Sequence, residues 1–231
     1  MNRVDIRNRA RELTELTEDD VTDANIDMFA RDGYERILNL ERRWPFLQAD
    51  ATLTTTAGQQ AYVLADLSVS DSTEAPVGQT LALREVVSIR DADGLRLDWI
   101  GHDEAETTWA DTDTGRSSSF SVWNGKLYLW PMPATATAYT IRGYRKPVAW
   151  WDSDTLEIDA DEALHVAVLY FAVSRLYQIQ EDAEMASFYA STFAEATTSA
   201  HADIMRPHTY RPLVLSQGPV PGYRIFPRYT T

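Results

Sequence analysis

Cysteine is absent from all 231 residues. That excludes disulfide scaffolds, thiolate zinc sites, iron–sulfur clusters and cysteine nucleophiles, and it suits a reducing compartment. Long apolar runs are missing too. The longest, at 163–173, contains His165 and is about half the ~20 residues needed to cross a bilayer. The opening stretch MNRVDIRNRAREL lacks the apolar segment of a secretory signal. The expectation is a soluble protein, with no membrane partner, that stays where it is made or travels in an assembly. Basic residues are scarce: 21 Lys and Arg face 35 Asp and Glu, a net charge of −14. A general nucleic-acid binder is therefore disfavoured, because phosphate affinity needs clustered Lys and Arg. There is neither a GxxxxGK[ST] nor a GxGxxG loop for a nucleotide, and no HExxH pattern for zinc.

What is present is an ordinary apolar fraction, 44%, enough for one generous domain or two small ones. Few residues invite chemistry. His102-Asp103-Glu104 could be an acid–base cluster, but acids at a helix N-terminus account for it better. His165 sits in an apolar helix and reads as a packed, hydrogen-bonded histidine. His201 and Asp203 are two apart and do not share a helix face; His208 falls among prolines. Ser117-Ser118-Ser119 lacks the GxSxG context. The pairs Asp111 with Asp113 and Asp152 with Asp154 could imitate a glycosidase, yet 35 acids produce such pairs by chance. The expectation is no enzyme, no metal and no cofactor. Trp99, Trp109, Trp123, Trp130, Trp150 and Trp151 favour core packing and subunit contacts. They also support a second reading, a β-sandwich module that binds carbohydrate or protein.

Hydrophobic periodicity divides the chain. Residues 4–16 are polar and helix-favouring. Thr17 or Thr22 can cap a second helix whose Ile26, Phe29, Gly33, Ile37, Leu40 and Trp44 form one face, stopped by Pro45. Gly33 on that face costs about 1 kcal/mol against alanine, which close approach of another helix would explain. From 49 to 147 the period shortens. Strands are predicted at 51–55 and 61–64 around Ala57-Gly58-Gln59, at 83–90 and 95–100 around Asp91-Ala92-Asp93-Gly94, at 120–123 and 126–130 around Asn124-Gly125, and at 138–144. A short helix is expected at 102–110. Helix returns near Asp159 with Leu164, Val168, Phe171 and Leu176 on one face. It breaks at Glu181-Asp182 and resumes with Met185, Phe188, Tyr189, Phe193, Ala196 and Ala200.

The predicted fold class is α+β: a helical bundle from N- and C-terminal helices, an inserted small antiparallel β-domain (sandwich or open barrel), and an extended C-terminal arm. The corresponding segments are 1–47, 48–157, 158–205 and 206–231. The last holds five prolines, four arginines and no acid, a charge of +4, while the other 205 residues hold all 35 acids and 17 bases, a net of −18. Its prolines forbid a helix. Its Val, Leu, Ile, Phe and Tyr residues exceed what a solvated tail needs, so docking onto another protein is the better reading. Arg206, Arg211, Arg224 and Arg228 would supply charge, and Tyr210, Tyr223, Ile225, Phe226 and Tyr229 apolar anchors.

Several motifs occur in a telling order. Arg42-Arg43-Trp44-Pro45-Phe46 ends a helix. Then come Thr55-Thr56-Ala57-Gly58-Gln59-Gln60-Ala61-Tyr62-Val63-Leu64, Leu127-Tyr128-Leu129-Trp130-Pro131-Met132-Pro133 and Tyr144-Arg145-Lys146-Pro147, with a long helix pair after 161. Over about 17–200 this order resembles the tailed-phage head-to-tail adaptor family, the ring proteins beneath the portal. The shared pattern is a helix–W-P-F segment, a T-x-x-G-Q-x-x-Y-x-L hairpin, an L-x-L-x-P-x-P strand and an exit with Tyr shortly before Pro. The segment after 206 is outside it. The resemblance implies a non-enzymatic virion protein of the neck, assembled in the bacterial cytoplasm. It implies a homo-oligomeric ring of 12 copies, docked on the portal through 206–231 and offering a platform to a downstream neck or tail protein. DNA would pass through the channel, without specific binding, on ejection. Twelve such chains would carry roughly −168, which repels phosphates.

Overall fold

The computed structural model describes residues 1–70, 81–110 and 112–205. Two helices open the chain, α1 (Arg3–Thr14) and α2 (Asp23–Leu40). Then follow β1 (Gln48–Thr54), β2 (Ala61–Val63), β3 (Ser68–Ser70), β4 (Leu83–Asp91), β5 (Asp98–Trp99), α3 (His102–Thr108), β6 (Thr114–Gly115), β7 (Ser119–Trp123), β8 (Lys126–Trp130), β9 (Met132–Pro133) and β10 (Ala138–Arg145). Helices α4 (Glu162–Ile179) and α5 (Ala183–Ile204) close the described chain. The fold is mixed α+β, as the periodicities predict.

The first and last helices share one core, in which Ile6, Ile26, Tyr34, Ile37, Leu164, Val168 and Leu176 are buried together. α1 starts with a capping box that the sequence reading missed: the Asn2 side chain accepts from the Asp5 N–H, and the Asp5 carboxylate accepts from the Asn2 N–H. Thr22 is the N-cap of α2 but makes no side-chain bond there, and the Thr17 hydroxyl donates to Asp20 instead. The predicted end of α2 is corrected. The helix stops at Leu40, not Trp44, because Glu41 is extended and Trp44 precedes a proline, which disfavours helical backbone. Trp44 nevertheless reaches the core by a turn of chain. Its indole Nε1 donates to the Ile37 carbonyl at 3.2 Å, one of the carbonyls the helix end leaves without a partner.

Gly33 behaves as predicted. A Cβ there would lie 2.9 Å from Cβ and Cδ1 of Phe171 on α4, so the glycine lets the two helices touch. Gly33→Ala should therefore destabilise the protein by about 1–3 kcal/mol, the usual cost of overpacking, despite alanine's better helix propensity. Thermal unfolding checks this; an unchanged or raised midpoint would mean that the contact is slack.

The strands form two four-stranded sheets, ordered β3-β1-β10-β4 and β2-β8-β7-β5, with β6-β9 as a separate pair. Alternation drives their packing: along β1, Ala49, Ala51 and Leu53 point inward while Gln48, Asp50 and Thr52 face out. Both sheets feed one core that includes Ala51, Ile89, Phe120, Leu127, Leu129 and Ile141. Pairing is antiparallel except for two-residue parallel contacts of β5 with β7 and of β6 with β9.

One predicted hairpin is corrected. β1 and β2 do not pair; β1 pairs with β10 and β2 with β8, so the turn at Gly58 carries the chain from one sheet to the other. Tyr62 closes that corner, its hydroxyl donating to the Gln59 carbonyl at 2.7 Å. The chain also changes sheet after β4. A short hairpin closes around Gly94, with Leu97 N–H donating to Ile89, before β5 joins β7. The Asn124-Gly125 hairpin forms as predicted, with φ of 47° and 72° at its two turn residues.

Candidate functional site

His102 lies at the start of α3, its Nδ1 3.1 Å from the Ser121 hydroxyl and its Nε2 3.3 Å from a Glu106 carboxylate oxygen. Its ring stacks on Trp123, and Ser121 also accepts from the Trp130 indole at 2.9 Å. Asp103 and Glu104 are exposed in the first helical turn. The three residues form a helix start, with His102 packed and the two acids in solvent, rather than an acid–base cluster. His165 is buried, with Nε2 3.0 and 3.2 Å from the carbonyls of Ile158 and Ala160 and Nδ1 3.1 Å from the Met1 amino group. Burial and the neighbouring amino group push its pKa down, so the neutral ring is favoured. His201 packs edge-on against Trp44. Ser117 donates to the Pro131 carbonyl. Asp113 accepts from the Ala110 N–H, while Asp111 lies outside the described residues. Among the described residues, no group of three His, Asp or Glu could hold a metal ion.

Asp154 has a structural role that the sequence reading did not foresee. Arg3, Arg7 and Arg11 recur every four residues on α1 and face Asp23 and Asp27 on α2, with Asp154 alongside. Arg7 makes a close two-bonded contact with Asp27, and its pKa is raised mainly by that bond. The Arg3 guanidinium lowers the Asp154 pKa. The signal was readable: arginines at i, i+4 and i+8 opposite aspartates also four apart describe two complementary helix faces.

The sheets are joined to the helices by a buried ion pair. Arg145, at the end of β10, is 1% exposed and makes two bonds to Asp159, of 2.6 and 2.8 Å. Asp159 also accepts from the Val148 N–H at 2.7 Å, and its carbonyl accepts from the Tyr34 hydroxyl at 2.7 Å. The Arg145 guanidinium reaches the Phe46 carbonyl as well. Four segments thus converge: α2, the 46–48 connection, β10 and the approach to α4. Trp150, drawn from the same stretch, is buried in the helical core and meets Tyr34 edge-on.

The tryptophans divide as packing predicts only in part. Trp44, Trp130 and Trp150 are buried, whereas Trp99 and Trp123 are exposed. The residues expected to dock, Arg206, Tyr210, Arg211, Tyr223, Arg224, Ile225, Phe226, Arg228 and Tyr229, all lie outside the described residues. No described helix is long and apolar enough to cross a membrane.

The order is helices, two four-stranded sheets, then helices. Residues 1–215 match the family model of the SU10 adaptor protein. The chain belongs to the SU10 adaptor protein family. The match reaches further than the 17–200 resemblance. It takes in the start of α1 and the first ten residues after 205, so the shared pattern does not stop at 206. No curated protein matches the chain. Family membership gives the coarse function, a structural adaptor of a phage particle.

Proposed function

We propose that the protein is a ring adaptor beneath the portal of a tailed phage. In this reading it extends the DNA channel, helps to retain packaged DNA and gives a docking platform to a downstream neck or tail protein. Twelve copies, a place in the virion neck, assembly in the host cytoplasm and the absence of enzymatic activity belong to the same reading. The observation that carries it is the adaptor-family match over 1–215. The charge of −14 per chain supports it, since acids around a channel let DNA slide without adhering.

Segment 206–231 is the docking element in this reading. Arg206, Arg211, Arg224 and Arg228 supply charge-assisted bonds to an acidic portal surface, and Tyr210, Tyr223, Ile225, Phe226 and Tyr229 anchor them. α5 ends at Ile204, so a chain truncated after Met205 keeps every described element. It should fold with an unchanged melting midpoint and lose portal binding. Full-length binding should weaken as salt rises, because part of the contact is ionic. Co-sedimentation with portal at low and high salt measures both; equal binding by the truncated chain removes the segment from the interface.

A further inference from the structure

The outer face of the β3-β1-β10-β4 sheet carries a groove of about 670 Å³, into which Arg90, Arg96 and Arg142 project beside Val87 and Tyr144. One acid, Asp50, shares it and lies 3.4 Å from Arg142. All three arginines are exposed, as is Val87. A groove with three arginines and one acid runs against a chain of net charge −14. It is built for carboxylates or phosphates.

The opposite end of the molecule offers carboxylates. Tyr177 donates to the Leu13 carbonyl and Gln180 to the Thr14 carbonyl, which sets the α1–α2 loop beside the α4–α5 turn. Glu15, Glu18, Asp19 and Asp20 on the first, with Glu181 and Asp182 on the second, are all exposed there. α2 leads away from this tip toward the sheets, and its 18 residues span about 27 Å. Tip and groove of one chain are therefore held apart.

We infer that the Arg90–Arg96–Arg142 groove receives the acidic bundle tip of a second copy of this chain. A closed ring needs a heterologous contact, two different and complementary patches on each subunit, and these two patches are such a pair. Opposite potentials also offset the repulsion between subunits that are acidic overall, and they favour correct register on encounter. A protein carboxylate is preferred to DNA as the occupant, because a ring needs a complementary patch on its own neighbouring subunit and the acidic tip supplies one. The inference rests on the ring reading.

The test is charge reversal in the full-length chain, with assembly followed by sedimentation velocity and negative-stain imaging, alone and with portal. Arg90→Glu with Arg96→Glu should raise the concentration for half-assembly by about a hundredfold, as should Glu18→Lys with Asp19→Lys, since like charges then face each other. Melting midpoints should change little, because all four side chains are exposed and their contacts within the chain, Glu18 with Arg11 at 3.9 Å and Arg90 with the Gly94 carbonyl at 3.1 Å, lie at the surface. Combining the four reversals should recover most of the assembly. Wild-type rings with variants that assemble equally well would overturn this contact and leave the ring reading standing. Loss without rescue in the combination would show that the two patches are not partners. Duplex DNA binding by the wild type that vanishes in the arginine variant would assign the groove to phosphates instead. No ring from the wild type, with or without portal, would overturn the ring reading and the contact together.

Discussion

Arg145→Ala should cost about 3–5 kcal/mol of stability, the usual effect of breaking a buried ion pair from one side. Arg145 is 1% exposed and Asp159 8%, as side chains, so the pair is largely shielded from water. The substitution strands a carboxylate whose remaining named donor is the Val148 N–H. It also removes the donor to Phe46. Arg145→Lys should recover little, because one ammonium cannot reproduce two parallel bonds to the carboxylate. Arg145→Met combined with Asp159→Leu should be far milder than Arg145→Ala, since replacing both charges removes the desolvation cost along with the attraction. Urea denaturation of the four proteins gives the comparison. A midpoint for Arg145→Ala close to wild type would mean that the joint is wet and the pair a surface ornament. The expected pattern gives the pair a different meaning: it fixes how the sheets sit on the helices more than it adds stability. In the proposed ring, where several subunits would present their faces in one geometry, that orientation is the useful quantity.

Helices and turns were legible because their signals are local. The acids between Asp159 and Glu162 before an apolar run, those at Glu181-Asp182 and the Asn124-Gly125 pair each act on neighbours in the chain; Asp161 caps a helix from Glu162, Asp182 caps the next, and the turn forms at Asn124-Gly125. Gly33 was legible as a misfit, since a glycine on an apolar helix face has few reasons to exist other than contact. Sheet membership was not legible. The run from Ala51 to Leu64 carries every mark of a hairpin, yet its two arms pair with β10 and β8, strands more than 60 residues away. Alternation tells which side of a strand is buried and says nothing of which strand lies beside it. The end of α2 was misread for a related reason. Trp44 continues the helical spacing, and only the backbone at Glu41 shows that it arrives by another path. The Arg145–Asp159 pair had no sequence signal at all, since each residue is one charge among 56. The Arg90–Arg96–Arg142 groove was equally silent, because three arginines spread over 53 residues converge only when β4 and β10 pair.

Trp44→Ala should match the loss at Arg145, at about 3–5 kcal/mol for a buried aromatic truncated to a methyl group. The side chain is fully buried among α2, the start of the sheet and α5. It stacks on Phe46 with ring centroids 5.5 Å apart and meets His201 edge-on at 5.3 Å. It also supplies the bond to the Ile37 carbonyl. Trp44→Phe separates the two contributions. It keeps an aromatic between Phe46 and His201 but loses the indole N–H, so its cost should be roughly 1–3 kcal/mol, the range for a buried acceptor left without a partner. Urea unfolding, read as a change in midpoint at constant slope, ranks the variants; an alanine midpoint near wild type would remove Trp44 from the core. The alanine variant should also reach beyond stability. His201 lies in the last turn of α5, and segment 206–231 continues from that helix end. Without the Trp44 ring against His201, this turn loses an anchor, and the segment proposed to dock follows from a looser helix end. At temperatures where the variant is still folded, its portal affinity should therefore fall while the affinity of the Phe variant holds. Co-sedimentation of both with portal, at one salt concentration, decides whether the core and the docking segment are coupled through that single aromatic contact.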